Sequence, residues 1–299
     1  MDKLFCSTAL KGNIKALEVT IPRLRRWYDP PKHYIIVPNS QIEDFSRIQS
    51  IYNHVEVVAE EDILSIELYE RLCDNVLGSR DDYKVFRHKW YFQQILKVLF
   101  SLNYKLDNSD LIIWDADTIP LKKLIFTEGE RVLLYGSPYE YCYEYYKQIY
   151  DLTGVHFSPR YSFITQFCCV TKRTQSEMRA ILLNEGSFED ISEQAVRKIL
   201  SSIGRVSTSL RNSDFSEYEL IGYLNSNIYG GRQTKLLFMR WEIQGNLSRL
   251  QCLLLKILGF VHISYESQTV SLKDQKWLSF ARGLYSNLKT ALFIRRKGN

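Results

Sequence analysis

Two aspartates one residue apart, Asp115 and Asp117, stand at the end of the apolar run Leu111-Ile112-Ile113-Trp114. Side chains alternate along a strand, so extended geometry carried past Trp114 would put both carboxylates on one face. Like charges this close disfavour each other's ionisation, and a shared cation relieves the repulsion. Ligands that are all oxygen point to Mg²⁺ or Mn²⁺, with phosphate oxygens filling the rest of the shell. The competing reading is a solvated loop that turns ahead of Pro120. Upstream, Gln93 and Lys97 are four residues apart in an amphipathic stretch and share one side of a helix. Downstream, Glu217 and Glu219 open another helical stretch, about 200° apart around its axis, so that only one of them is expected to face a given site.

These side chains need a framework, and the hydrophobic pattern supplies one. Residues 3–8, 33–37, 55–59 and 111–114 read as strands, and residues 13–28, 41–52 and 89–104 read as helices. Strands alternating with helices imply right-handed crossovers and a mostly parallel sheet covered on both faces. Residues 131–136 and 163–171 are further strand expectations. Helices are expected over 139–152, after a cap at Thr174 with Glu177 in capping-box position, over 191–203, and over 215–224 behind Asn212-Ser213-Asp214. A β-like run at 236–241, a helix at 247–258, a strand at 261–265 and a last amphipathic helix at 273–293 complete the chain. No Gly-x-Gly-x-x-Gly accompanies this outline of a nucleotide-binding α/β fold.

At 299 residues and 45% hydrophobic composition the chain can bury a large core. Its 39 basic and 34 acidic residues leave a formal charge of +5, too small an excess to indicate a nucleic-acid partner. The 13% aromatic content, with 20 Tyr, is read mainly as packing. Six cysteines without a Cys-x-x-Cys spacing read as reduced thiols. The first residues show no charged leader ahead of a long apolar region, and no apolar run reaches the ~18 residues of a spanning helix, so a cytoplasmic protein is expected. The basic end Arg295-Arg296-Lys297, on an amphipathic helix, would suit peripheral contact with anionic lipid of the inner membrane.

Three stretches occur in a telling order: Gln93-Gln94-Ile95-Leu96-Lys97, Trp114-Asp115-Ala116-Asp117-Thr118-Ile119-Pro120 and Phe215-Ser216-Glu217-Tyr218-Glu219-Leu220. Together they resemble glycosyltransferases of the GT-A fold, in particular a bacterial group of largely uncharacterised glycosyltransferase-like proteins. The resemblance covers roughly residues 1 to 245. It implies a GT-A-like catalytic domain over 1–245, a mixed and mostly parallel sheet flanked by helices, and a mainly helical appendage over 246–299. It also implies that Asp115 and Asp117 hold Mn²⁺ or Mg²⁺ on the diphosphate of a nucleotide sugar, a UDP-sugar being the donor expected. A hexosyl group would pass to a glycan or lipid-linked acceptor in cell-surface polysaccharide biosynthesis. Lys97 would help to offset charge on the leaving phosphate. Either Glu219, slightly preferred, or Glu217 would take the acceptor's proton if the reaction inverts.

Base and ribose contacts in this fold come from the end of the first strand and the loop after the third, here Ser7, Thr8 and Asp62, with Gln93 added from the helix of Lys97. His156 and His262 lack a convincing ligand motif and stay outside the metal set. His33 and His54 read as structural, and His88 and Arg240 as weaker site candidates. Three rivals share parts of the pattern. A haloacid dehalogenase-like phosphatase also ends a strand in Asp-x-Asp, but here Ile119 stands where such enzymes place Thr or Val, about 110 residues precede the motif, and no late Asp-Asp or Gly-Asp pair follows. A nucleotidyltransferase of the same fold needs a Gly-rich basic loop, of which Ser7-Thr8-Ala9-Leu10-Lys11-Gly12 is a poor version. A non-catalytic binding protein would have no need of intact carboxylates.

Overall fold

The structure is a computed structural model that describes residues 2–106, 109–139, 141–184, 190–241, 247–265 and 277–293. The strand β1 (Asp2–Thr8) leads into helix α1 (Ile14–Tyr28), then β2 (His33–Val37), α2 (Ile42–Ile51), β3 (Val55–Ala59), α3 (Ile66–Leu77), α4 (His88–Asn103) and β4 (Ser109–Trp114). β1 pairs in parallel with β2 and with β4, and β2 in parallel with β3. A later strand, β9 (Phe167–Val170), joins β4 antiparallel and completes the order β3-β2-β1-β4-β9. This is the mixed, mostly parallel sheet that the apolar runs imply.

Both faces of the sheet are covered, which is why its strands are almost continuously apolar. Leu4 and Cys6 of β1, Ile36 of β2 and Leu111 and Ile113 of β4 pack in one core with α3, α4, α7 (Ile191–Val206) and α8 (Glu217–Tyr229). The alternate residues face away from it. Phe5, Ile112 and Trp114 join a second cluster, and Ile35 and Val37 pack with Leu17 and Ile21 of α1 and with Phe45 and Ile48 of α2.

Between β4 and β9 run β5 (Thr118–Pro120), the two-residue strands β6 (Thr127–Glu128), β7 (Arg131–Val132) and β8 (Tyr135–Gly136), and α5 (Tyr143–Thr153). After β9 come α6 (Lys172–Leu182), α7, α8, β10 (Thr234–Lys235), β11 (Met239–Trp241), α9 (Arg249–Ile257), β12 (His262–Tyr265) and α10 (Trp277–Phe293). β12 lies between β11, to which it is parallel, and β5, to which it is antiparallel. The segment read as a helical appendage is thus tied to the rest through a strand laid against the residues that follow Asp117.

Several boundaries differ from expectation. The expected strand at 131–136 is two short strands. The strand expected from residue 163 begins only at Phe167, because Gln166 sits in the left-handed region at φ 66° and breaks the extended run. Thr171, not Thr174, caps α6: its side chain accepts the Thr174 N–H, and Thr174 is buried inside the helix. α8 is capped by Ser216 rather than by the polar residues before Phe215. α3 had no sequence expectation. It begins at a Ser65 cap and buries Tyr69, Leu72, Cys73 and Leu77 at helical spacing. Arg295-Arg296-Lys297 and residues 273–276 of the last expected helix lie outside the described residues.

Candidate active site

The chain leaves β1 toward β2 on one side and has β4 as its neighbour on the other. A crevice opens outside the carboxyl ends of strands at such a switch point, the usual ligand position in an open α/β sheet. A cleft of about 480 Å³ lies there. Thr8 and Asn13 line it from the end of β1, and Asp115, Ala116 and Asp117 from the end of β4. Gln93, Gln94 and Lys97 reach it from α4, and Glu217 and Tyr218 from the start of α8.

Extended geometry stops at Trp114. The Thr118 N–H bonds the Asp115 carbonyl at 3.0 Å, closing a turn over Ala116 and Asp117, yet both carboxylates still line the cleft. Asp115 continues the parity of Leu111 and Ile113, whose face packs on α4. Lys97 meets it there. The ammonium, only 6% exposed, donates to Asp115 Oδ1 at 2.6 Å and to Glu217 Oε1 at 2.7 Å. It also lies 4.8 Å from the centre of the Tyr218 ring, whose hydroxyl donates to the same Asp115 oxygen. With its amide turned to satisfy both ends, Gln94 donates to Glu217 Oε2 at 2.8 Å and to the Phe215 carbonyl at 2.9 Å.

Burial opposes charge on Lys97, but the carboxylates of Asp115 and Glu217 outweigh it and hold its pKa well above the ordinary value. Lys97 is therefore a permanent cation. Burial raises the Glu217 carboxyl, with Lys97 pulling the other way, and burial raises the Tyr218 phenol. Among the described residues, the charged side chains lining the cleft are the acids Asp115, Asp117 and Glu217 and the ammonium of Lys97.

The expected site residues are not all brought together. Thr8 and Gln93 line the cleft, whereas Ser7 is buried behind it. The Ser7 hydroxyl donates to the Trp114 carbonyl at 2.6 Å and lies 3.1 Å from His33 Nε2, a tie between β1 and β4 rather than a ligand contact. Asp62 is exposed beyond the edge strand β3, two strands and about 10 Å from β1, and does not line the cleft. Glu219 is turned away from Lys97. Its Oε1 accepts from Ser162 Oγ at 2.6 Å, the Phe163 N–H at 3.0 Å and the Tyr146 hydroxyl at 3.2 Å, at 1% exposure. His262 stacks on Phe238 with centroids 4.5 Å apart, and His156 stacks on Tyr150 at the surface. His88 packs edge-on against Phe86, and neither it nor Arg240 lines the cleft.

Gln94, Tyr218, Asn13 and Gln166 belong to the site without having been singled out. Gln94 and Tyr218 stood inside the quoted stretches. Asn13 accepts the Leu10 N–H at 2.8 Å and shapes the loop after β1. Gln166 lines the cleft, and its carbonyl accepts the Asp115 N–H at 3.0 Å.

The model of a family described as a family of unknown function, DUF6492, matches residues 6–230. The chain belongs to DUF6492. The matched span of the DUF6492 chain runs from β1 through α8 and contains every residue of the carboxylate–lysine cluster. Among solved structures it is similar to an active-site mutant of LgtC, at 10% identity over 96% of each chain and a TM-score of 0.47. It is also similar to the galactosyltransferase LgtC in complex with donor and acceptor sugar analogues, at 8% identity over 96% of each chain and a TM-score of 0.45. Mouse xyloside xylosyltransferase 1 in its apo form matches at 11% identity over 90% of this chain and 98% of that one, with a TM-score of 0.43. These are likenesses of fold alone. The search of curated proteins found no match.

Proposed function

We propose that the protein is a glycosyltransferase that moves a sugar from a nucleoside diphosphate sugar to a glycan or lipid-linked acceptor with the help of Mn²⁺ or Mg²⁺. The observation that carries this reading is the charge of the cleft. Among the described residues, three carboxylates line the cleft with one ammonium that is already committed to two of them. Such a cleft repels a diphosphate unless a divalent cation comes with it. Among the described residues no group of three His, Cys, Asp or Glu side chains is placed to hold a metal. Asp115 and Asp117, two oxygen donors lining the cleft, fit Mg²⁺ or Mn²⁺ bound through one or two carboxylates and completed by phosphate oxygens and water. Asp115 and Asp117 would hold it, and the ion would offset the negative charge that develops on the leaving diphosphate.

The protein's own groups do the rest. Lys97 orients Asp115 through their 2.6 Å bond, Gln94 and Glu217 keep Lys97 in place, and Thr8, Asn13 and Gln93 offer polar groups to the nucleotide. Glu217 has both oxygens engaged and Glu219 is packed against Ser162 and Phe163, so neither is suited to take a proton from an acceptor hydroxyl. Transfer with retention, which needs no such base, follows from that commitment. The test is release of nucleoside diphosphate from a panel of nucleotide sugars with Mn²⁺, followed by NMR of the product's anomeric configuration. Turnover of at least one donor, abolished by chelator and restored by Mn²⁺, is expected. Chelator-insensitive turnover, or hydrolysis of simple phosphate esters in place of sugar transfer, would overturn the reading.

A further inference from the structure

A second groove, of about 650 Å³, runs between α1 and α9 over a floor that includes Ile119 and Leu121. Among the described residues its charged lining is entirely basic: Lys15, Arg23 and Arg26 from α1, and Arg249 and Lys256 from α9. Arg23 is pinned by a 2.6 Å bond to the Pro120 carbonyl, while the other four cations are exposed. Beside them α9 presents an apolar stripe to water. Leu250, Leu253 and Ile257, spaced as i, i+3 and i+7, are 61%, 52% and 72% exposed, and Leu258 and Val19 are exposed as well. Scattered exposed leucines need no explanation, but a stripe on one helix face rimmed by cations marks an interaction surface.

We propose that the α1–α9 face is a docking surface for an anionic phospholipid bilayer. An interfacial helix has this composition, with aliphatic side chains entering the acyl boundary and Lys and Arg reaching the headgroup phosphates. Trp27, which lines the groove, is of the residue type that settles at headgroup level. A second copy of the chain is a poor occupant, because a two-fold contact would set this row of cations against itself. The surface adjoins the cleft through two short connections. α1 starts directly after Asn13, which lines the cleft, and Ile119 and Leu121 follow Asp117 by two and four residues. Docking would hold the cleft beside the bilayer. It does not depend on the transfer reading, since it requires no sugar and no metal.

Sedimentation of the full chain with vesicles tests it, using phosphatidylcholine alone and phosphatidylcholine with one-third phosphatidylglycerol. Binding to the anionic vesicles, weakened by salt and absent from the neutral ones, is expected. The pairs Arg26→Glu with Lys256→Glu and Leu253→Ser with Ile257→Ser should each reduce partitioning about tenfold or more, at an unchanged melting temperature. Arg71→Glu, exposed on α3, should leave it intact. Replacing Arg295, Arg296 and Lys297 by alanine separates this face from the basic chain end. Equal binding to both kinds of vesicle, no binding to either, or binding lost with the chain-end substitutions and kept in both paired variants would overturn the proposal.

Discussion

Glu217 and Glu219 are two residues apart on one helix and have different partners. Glu217 holds a buried ammonium, and Glu219 gathers three neutral donors that fix the loop before β9. Glu217→Gln is expected to lower turnover about 10²-fold, because Lys97 loses the counter-charge that fixes its position and small misplacements at a reacting centre cost that much. Glu219→Gln is expected to cost about 1–3 kcal/mol of stability through weakened buried hydrogen bonds, with turnover per folded molecule nearly unchanged. Steady-state kinetics and urea unfolding of the two variants check this, and the opposite pattern would put the working carboxylate at residue 219. That the two glutamates point apart was legible, since helical geometry separates them by about 200°. Which one meets Lys97 was not, because the answer depends on how α8 is rotated against α4. The left-handed Gln166 was equally hidden, as nothing in its residue type demands φ above zero.

Among elements, α8 is seated by a glycine. A Cβ built on Gly222 would lie 2.1 Å from Phe163 Cγ, so helix and loop touch where an alanine has no room. Helix propensity alone predicts that Gly222→Ala stabilises the protein by about 0.5–1 kcal/mol. The close contact predicts the reverse, a loss of about 1–3 kcal/mol from overpacking, and a denaturant midpoint distinguishes the two. Most of the elements were readable because both faces of the central sheet are buried and its strands are apolar runs bounded by turns. α3 escaped notice because charged residues interrupt its apolar positions. The short strands β6 to β8 and β10 carry too little pattern to be recognised one at a time. The placement of β12 beside β5 is a long-range pairing that no local signal encodes.

At the scale of the whole molecule, the imidazoles of His33 and His262 are fully buried. Burial pushes both His33 and His262 down to about 3 from 6.5, with His54 adding to the effect on His33. A depressed native pKa means that the unfolded chain binds more protons, so the stabilisation is full above 6.5 and is lost as pH falls toward 3. Glu60, raised to about 7 by burial and by Glu61, acts in the opposite direction between 4.5 and 7. His262→Phe keeps the stacking on Phe238 and removes one titrating ring. Relative to the parent, it should therefore gain about 2 kcal/mol between pH 7 and pH 5. Urea unfolding at both pH values checks this, and an unchanged difference would show that His262 is not held neutral.

The same molecule places two aspartates and a paired lysine at the switch point of its sheet, and the central claim is that this cleft takes a diphosphate through a divalent cation. Thermal unfolding with UDP, Mn²⁺ and both together measures that most directly, since a ligand of the native state raises apparent stability by mass action. UDP with Mn²⁺ should raise the melting temperature beyond the sum of the separate effects, and Asp115→Ala or Asp117→Ala should abolish the surplus. Absence of a shift with UDP or any other nucleoside diphosphate, or a Mn²⁺-dependent surplus that survives both substitutions, would contradict the account.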